Sequence, residues 1–254
     1  TALDQEIKKD ESVYRVYDPN EGINGARTSY YHKSIGGYHA AKPAGLEDLF
    51  SFYVYKGNMG VLNMLNVKYV IQQDEEGKSY PAINPDANGN AWFVNHVVEV
   101  KSADEEIQTL EKLNAKTEAV INSTKVKGIN AFDFVVDSTA NIVLTHYAPN
   151  HLTYQSKNQN DGLVVFSEMY YSNGWNAYID GKLTDHFKAN YTLRAIKVPS
   201  GEHTIEFKFE PEVVRIGSQI TLASSIVMVL IVIGGIGFTF FGPKKKKDPT
   251  KLKK

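Results

Sequence analysis

From about residue 130 to residue 210, apolar and polar positions alternate with a period of two, the mark of strands buried on one face. Candidate strands cover 131–136, 141–147, 150–156, 162–171, 174–180, 191–198 and 202–210. Their connections are short, and several are rich in Asn, Asp and Gly: Asp137-Ser138, Asn160-Asp161-Gly162, Asn173-Gly174, Asp180-Gly181 and Ser200-Gly201. Strands of this length and spacing predict a mainly antiparallel β-sandwich, jelly-roll-like. In the last of them Ile205, Phe207 and Phe209 face inward while Glu206, Lys208 and Glu210 face water. Asn173-Gly174 is the strongest short hairpin signal, so 162–171 and 174–180 are expected to pair through it. Trp175, Ala177 and Ile179 then share one face, and Asn176, Tyr178 and Asp180 the other.

The first half follows a different pattern. Residues 12–17 (SVYRVY) alternate like a short strand, and a turn signal follows at 18–22. The stretch 24–43 is rich in Tyr and Gly and has no clear period, as expected of a loop pinned over something else. Residues 45–55 and 57–66 read as short helices, and 66–71 as a strand, so 1–80 is expected to be a small α/β portion. A Pro, Gly and Asn linker at 81–90 leads to a strand at 92–100. Ser102 and Glu105 then form a capping box that opens a helix ending near Asn114, with Ile107, Leu110 and Leu113 on its apolar side.

Residues 216–241 (IGSQITLASSIVMVLIVIGGIGFTFF) contain no charge. As a helix they span about 39 Å, enough for a hydrocarbon core of roughly 30 Å. Pro243 and Lys244 to Lys247 follow at once, and a lysine cluster beside a span marks the cytoplasmic side. Residues 1–215 are therefore expected outside the cytoplasm of a bacterial inner membrane, with the sandwich on the bilayer surface and 242–254 as a basic cytoplasmic tail. The chain opens TALDQEIKKD, without a hydrophobic segment, so either a signal peptide has been removed or the chain is the end of a longer membrane protein whose earlier spans carry the domain across; the second is the expectation.

Net charge is −1, but 244–254 hold seven lysines and one aspartate. The remainder carries 21 basic against 28 acidic residues, about −7. An acidic body argues against nucleic-acid binding. The absence of cysteine excludes a disulfide framework, thiol chemistry and cysteine-zinc sites. The phosphate-loop, Gly-x-Ser-x-Gly, His-Glu-x-x-His and EF-hand patterns are missing, and the seven histidines do not have zinc-site spacing. No metal ligand set and no cofactor are expected. The acids Asp104, Glu105 and Glu106 lie in a helix's first turn, where they suit the macrodipole. Two stretches offer stacking faces and polar donors for a sugar or phosphate. One is the loop with Tyr30, Tyr31, His32, Tyr38, His39 and Lys42, whose bland reading is a pinned loop. The other holds Trp175 and Tyr178, with Trp175 read first as core and second as a sugar platform.

Residues 34–42 (SIGGYHAAK), 61–71 (VLNMLNVKYVI), 89–94 (GNAWFV), 166–182 (FSEMYYSNGWNAYIDGK) and 189–209 (ANYTLRAIKVPSGEHTIEFKF) together resemble the C-terminal outer portion of the bacterial YfhO membrane-protein family. The resemblance runs over most of 12–240. Its most specific part is Gly-Trp-x-Ala-Tyr-x-Asp-Gly-Lys followed by Pro-x-Gly-x-His-x-Ile-Glu-Phe. Ser-Asn-Gly precedes Trp175 where relatives often have proline, and a turn accepts either. The resemblance implies a polytopic membrane glycosyltransferase that moves a sugar from a polyprenyl-phosphate donor to a cell-envelope glycopolymer. It also implies that the catalytic carboxylate lies upstream of Thr1, so this segment is itself non-catalytic. Its implied partners are the lipid bilayer, the polyprenyl-phosphate sugar and envelope glycan. Two alternatives remain: a non-catalytic envelope module that binds glycan or a protein, and a single-span surface protein.

Overall fold

The computed structural model describes residues 1–126, 134–135 and 138–241, among which lie six α-helices, two short 3-10 helices (Gly22–Asn24 and Val54–Lys56) and fourteen strands. In chain order the α-helices and strands are α1 Ala2–Ile7, β1 Arg15–Tyr17, α2 Ala26–Tyr31, α3 Ala44–Phe52, α4 Met59–Met64, β2 Val67–Gln73, β3 Ser79–Ile83, β4 Ala91–Val94, β5 His96–Val100, α5 Ala103–Thr109 and β6 Glu118–Asn122. There follow β7 Asn141–Ala148, β8 His151–Asn158, β9 Gly162–Met169, β10 Trp175–Ile179, β11 Lys182–Thr184, β12 Phe187–Ala189, β13 Leu193–Val198, β14 Gly201–Phe209 and α6 Glu212–Phe241. The expected strand at 131–136 and the basic tail at 242–254 fall largely or wholly outside the described residues.

Two antiparallel sheets form the sandwich, as the period of two predicts. One has the order β11-β10-β14-β8-β7 and the other β12-β13-β9-β4. Between them Tyr154, Phe166 and Phe207 meet edge to face, with Phe166 4.9 Å from Tyr154 and 4.8 Å from Phe207, ring centre to ring centre. All three are fully buried. Each such side chain contributes about 1.5–3 kcal/mol relative to exposure.

The four-stranded sheet is covered on both faces. Val164, Phe166, Ile196 and Val198 point into the sandwich. Leu163, Val165, Leu193 and Ala195 point the other way, into a second core built with α3, α4, α5, β2, β5 and β6. That is why β9 (GLVVFSEM) reads as a continuous apolar run rather than an alternation. The α/β portion completes this core. Arg15 on β1 donates to the Leu65 and Ser167 carbonyls at 3.0 and 2.8 Å and pairs with Glu168 at 2.9 Å. Residues 1–209 form one compact unit.

Four local expectations are corrected. The 92–100 run is two strands, broken at Asn95: β4 pairs antiparallel with β9, whereas β5 pairs parallel with β6 through the α5 crossover. The 81–90 linker begins inside β3, where Pro81 is tolerated because β3 is the edge of the β1-β2-β3 sheet. The loop at 24–43 contains α2, too short to show a helical period. The fourth is the hairpin at Asn173-Gly174. β9 pairs with β13 and β4, while β10 pairs with β11 and β14, so the chain crosses from one sheet to the other at 170–174. Gly174 has a φ of +106° but Asn173 is not in the left-handed region, so the two-residue hairpin turn does not form.

By itself, α6 is a 30-residue helix with no buried side chain. It is long and apolar enough to cross a membrane.

Candidate functional site

The two most distinctive sequence motifs meet at one end of the five-stranded sheet. β10 lies against β14 with Ala177 opposite Phe207 and Tyr178 opposite Glu206. Asp180 follows with φ +51° and Gly181 with φ +76°, a tight turn into β11. The Asp180 carboxylate accepts from the Thr204 amide at 2.9 Å and lies 2.7 Å from Nδ1 of His203. Nε2 of His203 is 3.2 Å from the Ser200 carbonyl. With an acceptor at each ring nitrogen, the imidazolium is favoured. The Asp180 hydrogen bond raises His203 above its ordinary value, and the same bond lowers Asp180.

Trp175 and Ile179 are half-buried and pack, with Ala177, on the sandwich core. The Arg194 guanidinium lies 4.0 Å from the centre of the Trp175 ring, and Phe209 packs on the ring at 5.4 Å. One indole face is therefore already covered by a cation. Arg194 is buried inside the sandwich, donates Nε–H to the Met169 carbonyl at 2.8 Å, and has no partner for Nη1 among the described residues. Burial lowers its pKa, and the Glu168 charge works against that fall. Nearby His186 is driven down to about 4 by burial and by the Arg194 charge, so it is neutral. Tyr178, on the opposite face of β10, has the Lys208 ammonium 5.1 Å from its ring centre.

The tyrosine-rich loop forms a second place. The His32 side chain is buried with Nε2 3.1 Å from Asp4, and Arg27 reaches the other Asp4 oxygen at 2.7 Å. Burial works to raise Asp4, but hydrogen bonds from Thr1 and His32 and the Arg27 charge outweigh it and hold it well below the usual carboxylate range. These contacts fasten the loop to α1. Tyr31 meets Tyr30 edge to face at 4.9 Å, with Lys8 and Arg27 5.4 and 5.6 Å from its ring centre. Tyr30 and Tyr38 are exposed. Lys42 donates to the His39 carbonyl at 3.0 Å, which draws those two residues together at the surface. The eight candidate residues thus fall into two groups on different elements.

Sequence reasoning misses a third constellation. Glu106 is fully buried, not a surface acid of the first turn. Its Oε1 accepts from the Tyr191 amide at 3.0 Å, and its Oε2 lies 3.0 Å from the Lys188 ammonium. Tyr191 and Asn190 both have left-handed backbones, at φ +70° and +48°. The Asn190 amide donates to the Val120 carbonyl, and its side-chain oxygen accepts from the Val120 amide, each at 2.9 Å. The Tyr191 hydroxyl donates to Asp48 at 2.6 Å; burial and that bond push its pKa up to about 12. The junction ties α3, α5 and β6 to the turn between β12 and β13. One signal for it exists in the sequence: Glu106 stands four residues before Leu110 and seven before Leu113, on the apolar side of the helix.

These groups fasten strands and loops and present polar edges. Among the described residues no three His, Asp or Glu side chains converge as metal ligands. The family model for the bacterial membrane protein YfhO matches residues 101–221. The match takes in both distinctive motifs, the Glu106, Lys188 and Tyr191 part of the junction and the start of α6, but neither Asp48 nor the stretches 12–100 and 222–240, over which the sequence resemblance extends. Residues 101–221 are thus similar to this membrane-protein family, in agreement with the resemblance. Searches of curated proteins and of solved structures each gave no match.

Proposed function

We propose, from the YfhO family match and the apolar helix that follows it, that residues 1–209 are the outward-facing module of a membrane glycosyltransferase. The observation that carries this reading is the order of parts: a family segment at 101–221 forms most of a sandwich and runs on into α6. The enzyme transfers a sugar from a polyprenyl-phosphate donor to a cell-envelope glycopolymer on the extracytoplasmic side. The module shapes the acceptor side, and the base that assists displacement at the anomeric carbon belongs to another part of the protein. Support for a non-catalytic role of this segment comes from what its titratable groups do. Asp180, His203, Asp4, His32, Glu106 and Lys188 are spent on one another.

The test joins topology to activity in the full-length protein. A protease-cleavable tag within 87–90 is expected to be cut in cells whose outer layers are opened, and a tag after Lys254 to be protected. Membranes rich in the protein are expected to transfer labelled hexose from a polyprenyl-phosphate donor to endogenous glycopolymer. Reversed tag accessibility, or transfer no greater than in membranes lacking the protein, sinks the proposal.

A further inference from the structure

A hollow of about 500 Å³ opens in the N-terminal part, between the 54–59 segment, β2, and β3 with residues 84–86 that follow it. Its walls are mostly apolar, and Tyr55, Met59 and Ile83 on its rim are 57%, 47% and 65% exposed. An exposed aromatic ring is usually free to move, but Tyr55 is held. Its ring stands edge-on to Phe50 at 5.4 Å, and its hydroxyl accepts from the Ile23 amide at 3.4 Å. Gly22 closes on the same ring: a β-carbon there would lie 3.2 Å from Cε1, and its φ of +59° already favours glycine. The ring is thus fixed before any ligand arrives, which lowers the ordering cost of binding.

The polar groups at the rim narrow the ligand. The Asp86 carboxylate has no hydrogen bond or ion pair among the described residues; its amide donates to the Asn84 side chain at 3.2 Å. The Gln72 side-chain oxygen accepts from the Tyr80 hydroxyl at 2.9 Å, which leaves its NH₂ group as a donor. Among the described residues no Lys, Arg or His lines the hollow. A phosphate or carboxylate would therefore lack a countercharge and would face Asp86. An aromatic face, a carboxylate acceptor and an amide donor over an apolar floor suit a ring with one C–H face and several hydroxyls. The volume lies within the range of small-ligand sites.

We propose that this hollow binds a neutral hexose unit of a glycan, stacked on Tyr55 and held by Asp86 and Gln72. The inference goes beyond the transfer reaction and does not require it. The test is saturation-transfer NMR on the full chain in a detergent without a sugar headgroup. The probes are methyl β-glucoside, methyl β-galactoside, glucose 6-phosphate and farnesol. At least one neutral glycoside is expected to bind, with glucose 6-phosphate weaker. Tyr55→Ala and Asp86→Asn are each expected to weaken glycoside binding about tenfold or more; Asp86 is exposed, so its substitution leaves the fold intact. Silence from both glycosides overturns the proposal. So does binding that neither variant changes, glucose 6-phosphate binding as tightly as the glycosides, or Tyr55-dependent binding of farnesol alone. Glycoside binding by a protein that transfers no sugar upholds this site and refutes the reaction proposed above.

Discussion

Replacing Glu106 with alanine separates two readings of the acidic run Asp104-Glu105-Glu106. As a first-turn acid, Glu106 would contribute about 0.3–1 kcal/mol through the helix macrodipole, no more than exposed Asp104. The structure assigns it more. The hydrogen bond from the Tyr191 amide at 3.0 Å ends on a charged, fully buried oxygen. A bond of that kind contributes about 1.5–3 kcal/mol. The Lys188 ion pair at 3.0 Å adds less, because the Lys188 side chain is 31% exposed and turns to water once its partner is gone. That second loss is about 0.5–1 kcal/mol. Glu106→Ala is therefore expected to cost about 2–4 kcal/mol. For a unit of this size that lowers the melting temperature by about 4–16 °C. Unfolding of the full chain in detergent, followed by tryptophan fluorescence, measures it against Asp104→Ala, expected to shift within about 1 kcal/mol. Glu106→Gln, which keeps an oxygen for Tyr191, is expected to fall between the two. If Glu106→Ala and Asp104→Ala unfold together, the junction does not hold the structure and the reasoning fails.

Trp175→Ala is expected to cost about 3 kcal/mol, the low end for a large aromatic because the ring is only half-buried; an unchanged denaturation midpoint would show that the indole supports nothing. The Asp180–His203 pair is expected to give a pH-dependent contribution with two edges. His203 is raised in the folded state, so its contribution is full below its ordinary 6.5 and fades as pH climbs through the raised folded value. Asp180 is lowered, so its part is present above its ordinary 3.8 and fades as pH drops through the folded value. Stability of His203→Gln measured between pH 4 and 9 should lose the alkaline decline that the parent shows; the same decline in both would refute the pairing.

Much of the sandwich was legible because its outer sheet has one wet face. β14 alternates Ile205 and Phe207 against Glu206 and Lys208, and the pattern places the strand, but Phe209, expected inward as well, is exposed and packs on Trp175. β6 (EAVIN) is not legible, for the opposite reason: four of its five residues are buried, so no alternation survives. In β11 and β12, three residues are too few to show any period. Asn-Gly is a local signal and predicts a hairpin at 170–174, whereas the partner of β9 is chosen by burial on both of its faces. At the candidate site, the chemistry of Trp175, Asp180 and His203 could be suspected from residue type. Their pairing, and the turn at Asn190-Tyr191 that seats Glu106, depend on strands far apart in sequence, which residue type does not encode.

The place of β14 in its sheet also bears on how the protein is made. It is the last strand of the unit, yet it lies between β10 and β8. Until it emerges from the ribosome, β8 and β10 each keep a row of unpaired backbone groups, and Ala177 and Tyr154 lack Phe207 and Ile205 beside them. Such open edges invite pairing with other chains. The five-stranded sheet is sealed by the stretch synthesised immediately before α6. Closure of the body and delivery of the apolar helix therefore fall at nearly the same moment of synthesis, and a chain stalled at residue 200 would be left with both open edges and no helix.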